Sequence, residues 1–97
     1  MSPGSLPSKT TAGLLDLIAA VPAGYVATIG AVARYLEIDQ RHVSTLIATL
    51  TAEQRNRIPW WRVVADGGAV GRHAHRDQQI VRLRADGVPV SPAGIVQ

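Results

Sequence analysis

Ninety-seven residues, 46% of them apolar, suffice for one modest hydrophobic core, so the chain is read as a single domain spanning 1–97 with a net charge of +3. No cysteine is present, which excludes disulfides, thiolate metal sites and thiol catalysis, and no apolar run approaches the roughly 20 residues that a membrane-spanning helix needs. The charge is uneven: residues 1–54 sum to −1, whereas residues 55–97 carry seven arginines against three acids and sum to +4, which points to an anionic polymer as partner.

The opening MSPGSLPSK has two prolines and no apolar core of the kind a signal peptide carries, so residues 1–7 are expected to form a flexible arm and the protein to be cytoplasmic. From Ser8 to Val21 the apolar positions Leu14, Leu17, Ile18 and Val21 recur at helical spacing and stop at Pro22. Pro22 and Gly24 make a turn, Tyr25 to Ala27 is a brief extended piece, and Thr28 is placed to cap a second helix whose buried stripe is Ile29, Val32, Ala33 and Leu36. The same offsets return at Val43, Leu46, Ile47 and Leu50 after Asp39, so a third helix follows a tight turn at Glu37 and Ile38. Two short amphipathic helices joined in this way form a helix-turn-helix. The outer face of the third helix presents Arg41, Ser44, Thr45 and Ala48, small side chains beside one arginine, a face suited to close approach by a partner.

Residues 58–71, IPWWRVVADGGAVG, alternate as a hairpin would, with Asp66 and Gly67 supplying the turn. RHAHR at 72–76 follows as a loop flanked by Arg72 and Arg76, with its histidines read as wing residues near phosphates. Asp77 is expected to cap a last helix that ends at Asp86 with Gly87 as its stop. The fold class is therefore mainly α with a small β hairpin, a winged helix-turn-helix-like single domain. His42, His73 and His75 lack a convincing third ligand, GGAVG lacks the spacing of a nucleotide-binding loop, and no carboxylate pair or nucleophile elbow occurs; no metal, no cofactor and no enzymatic activity are expected.

VPAGYVATIGAVARYL at 21–36, IPWWRVV at 58–64, GGAVG at 67–71 and LRADGV at 83–88 together resemble the DNA-binding domain of the O6-alkylguanine-DNA alkyltransferases. That family reads I-P-x-G-x-V-x-T/S-Y-G, then P-C-H-R-V, then G-x-V-G, then L-L-x-x-E-G-V. Trp60 stands where the family's alkyl-accepting cysteine would be, the pattern of the alkyltransferase-like proteins. An indole has no lone pair available for an SN2 displacement, so alkyl transfer is excluded and binding remains.

The resemblance implies that Arg41 fills the gap left by a flipped base while Ser44, Thr45, Ala48, Arg72 and Arg76 meet DNA, and that Trp60, Trp61, Arg62, Val70 and Gly71 form the lesion pocket. It implies double-stranded DNA containing O6-alkylguanine as partner, a role in marking the lesion for nucleotide excision repair proteins, and a monomer. Ile29 replaces the family's phosphate-pushing tyrosine, Trp61 its histidine and Asp86 its glutamate. Read from the residues alone, a winged-helix DNA binder with no preference for damage and a protein-docking module both stay open.

Overall fold

The computed structural model describes residues 9–97, and the arm expected at 1–7 lies outside them. Helix α1, Lys9–Ala19, turns Leu14 and Ile18 fully inward, and its chain leaves the helix before Pro22. After a turn at Gly24, β1 (Ala27–Thr28) leads directly into α2 (Ile29–Leu36). The Thr28 hydroxyl accepts from the Ala31 amide at 3.1 Å, the expected cap.

Helix α2 ends in a left-handed residue that is not glycine. Glu37 has φ 57°, and the amides of Glu37 and Ile38 donate back to the carbonyls of Arg34 and Ala33. Left-handed backbone costs a residue with a Cβ roughly 1–2 kcal/mol, and here it closes a three-residue connection that lets Asp39 accept from the Arg41 amide at 2.8 Å and cap α3, Gln40–Ala48. Val32, Ala33 and Val43 are buried where the two helices meet the core. A fourth helix, α4 (Ala52–Arg57), follows at once; Thr51 and Gln54 bond each other's backbone reciprocally in a capping box.

The mainly helical, helix-turn-helix architecture is as expected, but the strand pairing differs from the hairpin read over 58–71. Pro59 opens a single 3-10 turn at Trp60–Arg62, and β2 (Val63–Val64) then pairs in parallel with β1, in the register Ala27 to Val63 and Thr28 to Val64. The turn at Asp66 and Gly67 does form, with the Gly68 amide donating to the Ala65 carbonyl and the Ala65 amide to Ala69. The chain beyond it pairs with the C-terminal segment instead, through the antiparallel bridge Ala69 to Ile95. Both Val63 and Val64 are buried, so this strand needs covering on two sides, which a two-stranded hairpin cannot supply.

The last helix, α5, runs from Arg76 to Ala85, with Gly87 at φ 87° as its stop. Asp77 lies inside its first turn rather than at the cap, where the structure has His75 without a side-chain bond. Two apolar clusters result. One gathers Leu14, Ile18, Val32, Val43, Ile58, Trp60 and Val63, the other Val64, Val70, Leu83, Val88 and Val90, and half-buried Trp61 packs against both. Among the described residues no helix is long and apolar enough to cross a membrane.

Candidate nucleic-acid interface

Trp60 and Trp61 sit in one 3-10 turn, so they do not project to opposite sides as they would in an extended strand. Their rings meet edge to face, 6.2 Å apart with an interplanar angle of 88°. Trp60 is 5% exposed and has Arg55 over its ring at 5.1 Å, with His73 and His75 against its edges. It forms the floor of a cavity of about 420 Å³. Helix α3 contributes Ser44, Ile47 and Ala48 to one wall; Ile29, Val63, Val64 and Ala65 supply an apolar back; and the loop from Gly71 to His75 closes the other side with Arg72 and His73. A volume of that size lies within the range of about 300–1,000 Å³ typical of small-molecule sites.

Of the pocket residues named from sequence, Trp60 and Gly71 line this cavity. Trp61 and Arg62 lie beyond the Trp60 floor and Val70 is buried in the second cluster, so none of these three is a wall of it. Trp61 and Arg62 instead converge on Asp86. The Trp61 indole N–H donates to Asp86 Oδ2 at 2.9 Å, while Arg62 donates through Nε to Oδ2 at 2.7 Å and through Nη2 to Oδ1 at 3.1 Å, with Nη1 reaching the Val21 carbonyl at 2.8 Å. The hydrogen bonds from Arg62 hold the Asp86 carboxyl below its ordinary range and raise the arginine in turn, against an opposing effect of burial. This is a structural clasp between the 3-10 turn and the end of α5.

The DNA-facing candidates divide in the same way. Arg41, Ser44, Thr45 and Ala48 are exposed along α3, with Ser44 and Ala48 at the cavity mouth. Arg72 is exposed on the cavity rim. Arg76 is not free: Nη1 donates to the carbonyls of Val70 and Gly71 and Nη2 to Ala93 at 3.0 Å, so its guanidinium ties the loop to the C-terminal segment. Its partners are backbone carbonyls, two of them five and six residues back and one seventeen residues on, which a reading of side chains does not reveal.

Two further residues at the site were not singled out from sequence. Arg55 donates to the Ile47 carbonyl at 2.9 Å and joins α4 to α3 across the cavity edge. Gln79, 3% exposed, donates through Nε2 to the carbonyls of Trp61 at 3.1 Å and Val63 at 2.8 Å, and its Oε1 faces His73 Nε2 at 2.8 Å. Because both Gln79 amide hydrogens are spent on carbonyls, Oε1 must accept, so His73 carries its proton on Nε2 and receives the His75 amide on Nδ1. One side chain thus fixes the floor and the loop together. Gln79→Leu should destabilise the domain by about 1–3 kcal/mol, the cost of stranding buried carbonyls. Thermal melting checks this, and amide exchange at residues 72–75 should rise with it.

Among the described residues no group of three or more His, Cys, Asp or Glu could hold a metal ion. A helix-turn-helix with a recess beside its second helix, bordered by Arg55 and Arg72, defines a candidate DNA-binding domain. The family model of the 6-O-methylguanine DNA methyltransferase DNA-binding domain matches residues 10–88, and the chain belongs to that family. Among solved structures it is similar to S. pombe Atl1 in complex with damaged DNA containing O6-carboxymethylguanine, with a TM-score of 0.79 and 25% identity over 95% of this chain and 90% of that one. It is also similar to S. pombe ATL in complex with DNA, with a TM-score of 0.77 and 24% identity over the same shares of each chain. No curated protein matches it significantly by sequence.

Proposed function

We propose that this protein binds double-stranded DNA at O6-alkylguanine, receives the damaged base in the cavity floored by Trp60 and transfers nothing, serving in the cytoplasm as a monomeric mark for nucleotide excision repair. The observation that carries the reading is the cavity itself, placed between the exposed face of α3 and the loop bearing Arg72 and His73, with tryptophan at the position of the family's acceptor cysteine. Its apolar back accepts an alkyl substituent, and the Trp60 ring with the imidazoles of His73 and His75 offers aromatic contact to a base. Base–aromatic contact returns about 1–3 kcal/mol toward the few kcal/mol that extrusion costs. Arg41, exposed near the start of α3, is the side chain proposed to replace the extruded base in the stack.

Two measurements bear on this. Affinity for a duplex should fall with salt at a log–log slope of about −2 to −4, as for two to four phosphate contacts; a flat response removes DNA as the partner. Arg41→Ala should melt within about 0.5 kcal/mol of the parent, as exposed positions do, yet bind an O6-methylguanine duplex roughly tenfold more weakly, about the worth of one stacked contact. Unchanged binding of that variant would remove the intercalating role.

A further inference from the structure

Beyond the Trp60 floor lies a second cavity of about 440 Å³, between α4, the 3-10 turn and α5. Arg55, Trp60 and His75 line both cavities and form the partition between them. None of the α3 face, and none of the loop from Gly71 to Ala74, lines the second one. Four guanidiniums do: Arg55, Arg57, Arg62 and Arg82.

Two of these are already matched. Arg57 pairs with Glu53 at 2.5 Å and Arg62 with Asp86 at 2.7 Å. Arg55 and Arg82 have no carboxylate partner among the described residues, and each lies over an indole, Arg82 at 4.8 Å from Trp61 and Arg55, whose Nη2 also donates to the Ile47 carbonyl, at 5.1 Å from the Trp60 ring. Stacking on a ring holds a guanidinium plane in place while leaving its edge N–H groups free to donate in pairs. Such a plane loses little freedom when it takes a carboxylate bidentately.

We infer that this second cavity is a binding site for a carboxylate side chain on an acidic segment of a partner protein, with Arg82 and Arg55 as its anchors and Trp61 as its wall. A protein carboxylate is favoured over a DNA phosphate because the cavity shares no residue with the α3 face through which DNA is proposed to dock. Filling both cavities at once puts their occupants on the two sides of the partition formed by Arg55, Trp60 and His75. That last point rests on the proposed lesion binding; the site itself does not.

The test uses hexaglutamate as probe, titrated into the full chain at physiological salt and followed by the Trp61 indole N–H resonance. The expected result is saturable binding that weakens at least fivefold in Arg82→Gln but by less than twofold in Arg34→Gln, a change of the same charge on exposed α2 surface outside both cavities. Equal weakening in the two variants would reduce the effect to net charge and overturn the site. A Trp61 response to inorganic phosphate or undamaged duplex, with none to hexaglutamate, would assign the cavity to phosphate and overturn it as well. A final arm adds saturating O6-methylguanine duplex: retained peptide binding is expected, and displacement of the peptide would show one shared site. Failure of the duplex to bind at all would count against the lesion reading alone, since the peptide titration without DNA stands by itself.

Discussion

Trp60→Ala should remove a large share of the stability of the domain. Trp60 is 5% exposed and packs the 3-10 turn into the helical core, and truncating a buried tryptophan costs about 3–5 kcal/mol through lost contacts and the void left behind. A domain of this size has only about 5–15 kcal/mol in total, and each kcal/mol moves the melting point by roughly 4–8 °C. Calorimetry or circular dichroism should therefore show a fall of about 12–40 °C. A melting point within a few degrees of the parent would mean that Trp60 is a free platform instead of the packed floor seen here. For lesion binding the informative change is Trp60→Phe, which keeps an aromatic floor and most of the packing.

The Arg62 clasp carries the second large effect. Arg62→Ala strands Asp86 with the Trp61 N–H as its remaining donor and releases the Val21 carbonyl, in a pair whose side chains are only 14% and 13% exposed. Removing one partner of a buried pair costs about 3–5 kcal/mol, and the residual exposure brings the expectation here to about 2–4 kcal/mol. The same clasp sets the acid limb of stability. Because Asp86 titrates lower in the folded chain than in the unfolded one, its contribution is complete above the unfolded carboxylate value near about 4 and is lost as pH falls through the lower folded value. Asp86→Asn should thus be less stable at neutral pH and show a shallower loss as pH falls below the ordinary carboxylate range. Parallel acid limbs in the two proteins would refute the assignment.

How far the sequence discloses this molecule depends on where each interaction lies along the chain. Helices α1 to α3 are legible because their buried residues repeat at three and four positions, and Thr28 and Asp39 announce two of the starts. Helix α4 buries nothing and has no such stripe, yet Thr51 and Gln54 spell a capping box that was there to be read. The hairpin failed because two adjacent tryptophans before a valine pair look like alternation, whereas Pro59 and the 3-10 turn break the period and the strand's partner is β1, thirty-six residues earlier. Motif position assigns Trp61 and Arg62 to the site, and the arginine-flanked loop assigns Arg76 to it. In the structure they serve the scaffold, through Asp86 and through backbone carbonyls that no side-chain pattern encodes. Gln79 is the converse, an unremarked residue on a polar helix whose amide locks the cavity floor to its loop.

The central claim is that the cavity beside Trp60 reads damage, and competition between two duplexes identical but for one O6-methylguanine, at a fixed physiological salt, tests it most directly. The account predicts clear preference for the lesion, at least tenfold, together with unchanged methylguanine recovered from the bound DNA. Equal affinity for the two duplexes would contradict it and leave a helix-turn-helix that binds DNA without regard to alkylation.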